Sequence, residues 1–196
     1  MILGTACAAS PQTKSILVLG DSLSAGFGIG RQQSWPVLLE QRLNADVYPY
    51  RVANVSISGE TTRGGRSRLP AALKQHQPEI VIIALGANDG LRGLPLDQMR
   101  DNLNAIIRLS KQSQVRVLLL GMQLPPNYGS DYTRNFRQLY ADLAHQHKVA
   151  WEPFLLAGFA DQREAFQSDG VHPTAASQAL ILDTVWHGLQ PLLKKQ

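Results

Sequence analysis

The sequence predicts an α/β fold, in which a parallel sheet of about five strands carries helices on both faces. Short runs rich in Ile, Val and Leu recur along the chain, and longer segments with helical spacing separate them. Two of these runs are apolar on both faces, as strands are when a parallel sheet is covered on both sides. Strands that alternate with helices are joined by right-handed crossovers, which distribute the helices over both faces.

The apolar runs are too short to form helices, so each is a predicted strand. The run at 80–85 and the run after it are the two that are apolar on both faces, and the last run has a less regular pattern. The predicted strands lie at 16–19, 51–55, 80–85, 115–120 and 149–153.

The segments between and after the strands carry the signals of helices. Pro36 follows Ser34 and falls in a first turn, while Pro95 with Asp97 precedes another helix. Pro173 is predicted to begin the last helix in the same way. The predicted helices lie at about 35–44, 66–76, 97–111, 132–147 and 174–190.

The length of 196 residues fits one domain, and no internal repeat or linker divides the chain. We therefore expect a single domain over residues 11–196, and a monomer. Residues 1–10 are expected to be the remnant of an export signal, because Ala6-Cys7-Ala8 has the form of a signal-peptidase site. Their apolar stretch is short, and no positively charged segment precedes it as in a complete signal peptide. The alternative to a periplasmic or secreted enzyme is therefore a cytoplasmic one, in which residues 1–10 are an ordinary N-terminus.

Composition excludes several classes of protein. Hydrophobic residues make up 44% and charged residues 17%, which is ordinary for a globular protein, and the formal net charge is only +4. Basic and aromatic residues do not interleave, so no nucleic-acid partner is expected. No run reaches the ~18 apolar residues of a membrane span, so stable membrane insertion is not expected either. Cys7 is the only cysteine, and cleavage of residues 1–10 would exclude disulfides and a cysteine nucleophile.

Four polar segments follow predicted strands or precede the last predicted helix. The carboxyl ends of parallel strands form a ligand crevice, so segments at these ends can converge on one site. They are Gly20-Asp21-Ser22-Leu23-Ser24, Ser58-Gly59-Glu60-Thr61-Thr62, Gly86-Ala87-Asn88-Asp89-Gly90 and Asp169-Gly170-Val171-His172-Pro173.

In this order and spacing, the four segments resemble the blocks of the SGNH (GDSL) hydrolase family, and the surrounding sequence looks like its bacterial thioesterase I, arylesterase and lysophospholipase branch. A lone G-D-S-L string is a weak match, but four ordered blocks are specific. The resemblance implies a three-layer α/β/α flavodoxin-like fold and a serine esterase that cleaves carboxylic esters, acyl thioesters and lysophospholipids. Two positions depart from the usual pattern, Glu60 in place of Asp and Ala87 in place of Gly.

The resemblance assigns Ser22 as the nucleophile, His172 as the base and Asp169 as its orienting acid. A serine hydroxyl needs a base to take its proton, and a carboxylate on the other imidazole nitrogen fixes the histidine tautomer. The assigned oxyanion donors are the backbone N–H groups of Ser22 and Gly59 and the side-chain amide of Asn88. The alternatives are a helix cap for Asp169 and simple turns for Gly59 and Asn88.

Two further polar residues of the blocks are predicted to support the local structure and not to take part in the chemistry. Asp21 and Asp89 are predicted to order their loops by accepting hydrogen bonds from backbone amides. No G-x-S-x-G surrounds Ser22, which argues against the α/β-hydrolase fold. His145 and His147 are two positions apart in a predicted helix and face different directions, so neither a metal nor a cofactor is predicted.

Two apolar loops with Gly and Pro are predicted to form an acyl groove for a small-molecule ester or thioester. The candidate residues are Leu91, Leu94, Leu124, Pro125 and Tyr128. Phe154, Phe159 and Phe166 are further candidates, with core packing as the alternative for each.

Two other functions stay open at this point. A carbohydrate O-acetyl esterase would use the same catalytic residues, although it would need more polar and aromatic residues than these loops contain. A flavodoxin-like binding module could cradle an anion in the loop 20–26 after the first strand, but that function leaves Asn88, Asp169 and His172 without a role.

Overall fold

A computed structural model describes residues 13–195 and contains one five-stranded parallel sheet. The strand order is β2-β1-β3-β4-β5. The predicted α/β class and the five strands are confirmed, with differences of one or two residues at the strand ends. The strands are β1 Lys14–Gly20, β2 Tyr50–Asn54, β3 Ile80–Ala84, β4 Arg116–Leu120 and β5 Ala150–Glu152. The proposed export signal falls on residues 1–10, which lie outside the described residues.

The helices contact one another in two groups and cover the sheet. α2 packs against α7, whereas α3 packs against α5 and α5 against α6. Among residues 13–195, no helix has the length and apolar character needed to cross a membrane. The helices are α1 Ser22–Ala25, α2 Trp35–Ala45, α3 Thr62–His76, α4 Ala87–Leu91, α5 Leu96–Gln112, α6 Ser130–His147 and α7 Gln178–Leu189.

The core lies against the central strands. Residues 16–19 of β1 and 80–83 of β3 are completely buried, which is why their sequences are apolar on both faces. From β1 the sheet grows toward β2 on one side and toward β3 on the other. The carboxyl ends of β1 and β3 therefore flank a topological switch point, which is where open α/β sheets form their ligand crevice.

Helix α3 begins at Thr62, four residues before the predicted start at 66. Gly64 and Gly65 disfavour a helix by propensity, and this hides the first turn from sequence analysis. Close packing explains Gly65, because a Cβ there would lie 2.3 Å from the side chain of Leu85. Thr62 is completely buried and is held by Asp89, so tertiary contacts fix the start of the helix.

The prediction that Pro173 begins the last helix is wrong, because α7 starts at Gln178. Pro173 instead forms an isolated antiparallel bridge with Phe166. The next residue, Thr174, donates its backbone N–H to the carbonyl oxygen of Ala165 at 2.8 Å. These bonds tie the chain after His172 back to the preceding loop, so the helix can begin only beyond them.

Candidate active site

Ser22 is the first residue of the short helix α1, directly after the central strand β1. Its neighbour Asp21 caps this helix, with Oδ1 accepting the backbone N–H of Leu23 at 3.0 Å. Gly26 ends the helix in the left-handed conformation, with φ 74°, and lets the chain turn away after one turn. The first N–H groups of a helix have no acceptor within it, so the backbone N–H of Ser22 can point at a ligand.

His172 and Asp169 come from the loop between β5 and α7 and meet Ser22 at the carboxyl end of β1. The Nε2 atom of His172 lies 2.9 Å from Oγ of Ser22. Its Nδ1 atom lies 2.7 Å from Oδ2 of Asp169. The structure thus brings the three residues into the continuous chain of contacts that nucleophilic catalysis by serine requires.

Hydrogen bonds hold Asp169 in its charged form. The backbone N–H groups of His172 and Val171 donate to Oδ1 at 3.0 and 2.9 Å, and the His172 side chain contacts Oδ2. These bonds, led by the one from the His172 backbone, lower the pKa of the Asp169 carboxyl well below its usual range. An ionised Asp169 only accepts, so Nδ1 of His172 carries the proton and Nε2 accepts from Ser22.

The side chain of Asn88 contacts a sequence neighbour of each of the other two predicted oxyanion donors. Its side-chain nitrogen donates to the carbonyl oxygen of Glu60 at 3.0 Å, beside Gly59 in sequence. The same nitrogen lies 3.4 Å from Oδ2 of Asp21, beside Ser22 in sequence. This second bond is long and therefore weak, and its hydrogen can be redirected to an oxyanion. Gly59 has φ 79°, a conformation that glycine adopts without strain.

Asp21 and Asp89 both accept hydrogen bonds from backbone amides, as predicted. Oδ2 of Asp89 accepts the backbone N–H of Thr62 at 2.9 Å, and this bond fixes the start of α3 to the loop that carries Asn88. Asp21 is 1% exposed. Burial raises the pKa of its carboxyl to about 6, although the Leu23 bond, the charge on His172 and the Asn88 amide oppose this shift.

A cleft of about 510 Å³ opens beside the three catalytic candidates. Three of the five predicted acyl-groove residues line it, namely Leu91, Leu124 and Pro125. Phe154 and Phe166 line it as well. Most of this wall is apolar, so the cleft suits an acyl chain.

Of the eight acyl-groove candidates, including the three phenylalanines, the remaining three do not lie on the wall of this cleft. Leu94 lies in an exposed loop, and its carbonyl oxygen accepts a hydrogen bond from the hydroxyl of Tyr132 at 2.8 Å. Tyr128 donates its hydroxyl hydrogen to the carbonyl oxygen of Leu91 and so contacts the backbone of a wall residue. Phe159 is completely buried in the core, in line with the packing alternative.

Several wall residues were missed by sequence analysis. Met122 and Gln123 lie two and three residues after the end of β4, so the rule that ligands bind at the carboxyl ends of strands could have found them. Ala160 and Asp161 also line the cleft, and their sequence carries no such signal. Phe27 is not on the cleft wall, but its ring centroid lies 4.4 Å from that of His172, and this contact was missed because it joins two loops that are far apart in sequence.

The two histidines considered as metal ligands contact different neighbours. Nε2 of His147 lies 2.7 Å from Oδ1 of Asn104, and the ring of His145 packs edge-on against Trp151. Within residues 13–195, no group of three or more His, Cys, Asp or Glu side chains is arranged to hold a metal ion. The absence of a metal and a cofactor from the reaction stays a prediction.

Comparison with protein families places most of the chain in one of them. The model of the GDSL-like lipase/acylhydrolase family matches residues 18–180. This match includes the four polar segments, strands β2 to β5 and the end of β1.

Characterised relatives match over nearly the full length. The chain is 46% identical to the esterase TesA of Pseudomonas aeruginosa over 180 residues, which cover 92% of this chain and 90% of the relative. It is 39% identical to thioesterase 1/protease 1/lysophospholipase L1 of Escherichia coli K12 over 193 residues, which cover 98% and 90%. The crystal structure of TesA superposes with a TM-score of 0.90 at 46% identity, covering 92% of this chain and 100% of that one.

Proposed function

We propose that Ser22 carries the acyl group during turnover, because the chain belongs to the GDSL-like lipase/acylhydrolase family. It is a serine hydrolase of the esterase and thioesterase type. The observation that supports this most is the contact chain from Ser22 through His172 to Asp169, with distances of 2.9 and 2.7 Å. The alternative hypothesis of a non-catalytic binding module is wrong, because the chain belongs to a family of hydrolases.

In the first half of the reaction, Oγ of Ser22 attacks the carbonyl carbon of the ester or thioester while Nε2 of His172 takes the hydroxyl proton. The carbonyl oxygen becomes an oxyanion, which the backbone N–H groups of Ser22 and Gly59 and the amide of Asn88 stabilise. The bond to the alcohol or thiol then breaks. His172 returns its proton to the leaving group, so an acyl-Ser22 ester and a free alcohol or thiol result.

In the second half, water replaces the leaving group. His172 takes a proton from this water, whose oxygen attacks the acyl carbon and forms a second oxyanion in the same position. The bond between the acyl carbon and Oγ of Ser22 breaks, Ser22 regains its proton from His172, and the carboxylic acid leaves. Ionised Asp169 stabilises the imidazolium that forms in both halves.

The cleft favours apolar acyl groups. Leu91, Leu124, Phe154 and Phe166 lie on its wall, and the catalytic residues Ser22, Asn88 and His172 line the same cavity. A carbohydrate O-acetyl esterase would use the same catalytic residues, but this wall has few polar groups that could hold a sugar. We propose fatty acyl esters and thioesters, including lysophospholipids, as the substrate class.

Hydrolysis of p-nitrophenyl butyrate, before and after treatment with a fluorophosphonate, tests the proposed nucleophile. We expect one label per chain, loss of hydrolysis in step with labelling, and neither activity nor label in Ser22→Ala. The matched control is Ser67→Ala, which removes an exposed hydroxyl on α3. Hydrolysis that survives in Ser22→Ala would contradict the assignment.

A second experiment tests the substrate class. Rates measured on a panel of acyl thioesters, lysophospholipids and acetylated sugars would separate the substrate classes.

We also propose that the enzyme acts outside the cytoplasm and as a monomer. The support for export is the Ala6-Cys7-Ala8 pattern and the small apolar residues around it. Cell fractionation and N-terminal sequencing of the protein expressed from its full gene would test export, and sedimentation analysis would test the monomer.

A further inference from the structure

Two segments that are far apart in sequence carry the proposed reacting pair. The nucleophile loop, residues 21–30, contains Ser22 and follows the central strand β1. The base loop, residues 163–174, contains His172 and precedes α7. The distance between Oγ of Ser22 and Nε2 of His172 therefore depends on how these two loops are held against each other.

Gln167 bonds to the backbone of both loops. Its side-chain nitrogen donates to the carbonyl oxygen of Phe27 in the nucleophile loop at 2.8 Å. The same nitrogen donates to the carbonyl oxygen of Pro173 in the base loop at 3.1 Å. The backbone N–H of Gln167 donates to the carbonyl oxygen of His172 at 2.8 Å, so the residue also holds the base itself.

The nucleophile loop is shaped to receive this side chain. Gly28 has φ 73°, and a Cβ at this position would lie 2.1 Å from Oε1 of Gln167. Any other residue would have to displace the amide. The bond to Phe27 also holds the segment whose aromatic ring packs against the imidazole of His172, with the ring centroids 4.4 Å apart.

Arg163 braces the base loop around Gln167, and the backbone bond from Gln167 to the carbonyl oxygen of His172 joins this braced segment to the base. The guanidinium of Arg163 donates to the carbonyl oxygens of Phe166, Gln167 and Ser168 at 3.2, 2.8 and 2.9 Å. A braced loop transmits a constraint applied at one point to its other residues. The side chain of Gln167 applies such a constraint at the contact with the nucleophile loop.

We propose that Gln167 is a positioning residue, which sets the contact between Ser22 and His172 by bonding the nucleophile loop to the base loop. The proposal rests on the proposed function, because it assumes that these two residues react together. Gln167 does not touch the reacting atoms. Its effect is exerted through the backbone of Phe27 and His172, and it should therefore alter the rate of the chemical step more than substrate binding.

The test replaces Gln167 by Met, which has a similar size and no amide donor. Gln162→Met is the matched control, because it removes a local bond to the carbonyl oxygen of Gly158 at 3.1 Å and leaves the two loops joined. Both variants are assayed with p-nitrophenyl butyrate, with kcat calculated per serine labelled by a fluorophosphonate, and the rate of labelling is measured separately. Gln167→Glu, which keeps the acceptor oxygen but loses the donor hydrogens, provides a second variant.

We expect kcat per labelled serine to fall about tenfold in both Gln167 variants, since a misplacement of reacting groups by about 1 Å can cost about 10²-fold and the loss of one loop contact should displace them by less. The labelling rate should fall in parallel, KM should be unchanged, and Gln162→Met should match the unmodified protein. Unchanged kcat per labelled serine would overturn the proposal. This holds even if the variant is less thermally stable or has fewer labelled sites, because neither change concerns the rate at a folded active site. Lack of hydrolysis by the unmodified protein would instead overturn the proposed function itself.

Discussion

The ring of Phe27 packs against the imidazole of His172, with the two centroids 4.4 Å apart and the planes inclined by 37°. Phe27 is 49% exposed and does not belong to the buried core. An aromatic face attracts a cation, and His172 becomes a cation in both halves of the proposed reaction. The ring should therefore stabilise the transition states more than the resting enzyme.

Replacement of Phe27 by Leu should reduce kcat a few-fold, because an exposed contact between a cation and an aromatic ring contributes about 0.5–1 kcal/mol. Phe27→Tyr retains the ring and should keep most of the activity. Steady-state kinetics on p-nitrophenyl butyrate would measure both. Equal kcat for the Leu variant and the unmodified protein would show that the ring does not assist the base.

Replacement of Asn88 by Ala should lower kcat by about 10²–10³ with little change in KM, because the loss of one oxyanion donor removes stabilisation from the transition state only. Asn44→Ala, an exposed site on α2, is the matched control for the loss of an amide. The assay is again steady-state hydrolysis of p-nitrophenyl butyrate. A small effect on kcat would mean that Asn88 mainly holds Glu60 and Asp21 in place.

Leu91 and Leu94 offer a matched pair for the acyl cleft, because the first lines the cavity and the second does not. Leu91→Ala should lower kcat/KM for long acyl esters about tenfold relative to short ones, since lost apolar contact affects only chains that reach it. Leu94→Ala should leave the ratio unchanged. The ratio is measured on p-nitrophenyl esters of increasing chain length. If Leu94→Ala changed the ratio and Leu91→Ala did not, the acyl site would lie at the loop that contains Leu94.

The hydrolysis rate should fall as the solution is acidified, because a protonated His172 cannot accept the Ser22 proton. The pH dependence of kcat/KM with p-nitrophenyl butyrate measures this. A rate that stays flat from about pH 5 to 8 would count against His172 as the base.

Asp21 should make stability depend on pH. Folding raises the pKa of this buried carboxyl from 3.8 to about 6, so the native state binds its proton more tightly than the unfolded state does. The stabilisation is complete below the unfolded pKa and is lost as the pH rises through about 6. Relative to Asp21→Asn, the protein should therefore lose on the order of 2–3 kcal/mol of unfolding free energy between acid and neutral pH.

Urea denaturation of both proteins at about pH 4.5 and 7.5 measures this difference. Asp161→Asn, at an exposed position, is the control for the loss of a carboxylate. A constant difference between the unmodified protein and Asp21→Asn would mean that the Asp21 carboxyl is not perturbed by folding.

Sequence analysis predicted the features that depend on local pattern. The five strands were found because short apolar runs recur along the chain, and Ser22, Gly59 and Asn88 were assigned because each follows a predicted strand within a recognisable block. The last helix was misplaced because Pro173, usually a first-turn residue, pairs with Phe166 instead. That pairing joins two parts of one loop, and helix propensity does not report it.

The remaining misses depend on contacts between distant segments. Leu94 and Tyr128 have the same apolar character as Leu91, and only the path of the loop decides which of them faces the cleft. Gln167 lies two residues before Asp169 and has no intrinsic chemistry. Its importance arises from the carbonyl oxygen of Phe27, which lies 140 residues earlier in the chain.

The contact between Ser22 and His172 joins residues 150 positions apart. During synthesis, the nucleophile emerges among the first residues of the domain, but its base emerges only after the fifth strand has been made. A nascent chain therefore carries an inert serine until almost the whole domain has left the ribosome. In refolding experiments, the appearance of fluorophosphonate reactivity would accordingly mark docking of the loop that carries His172 against the loop that carries Ser22.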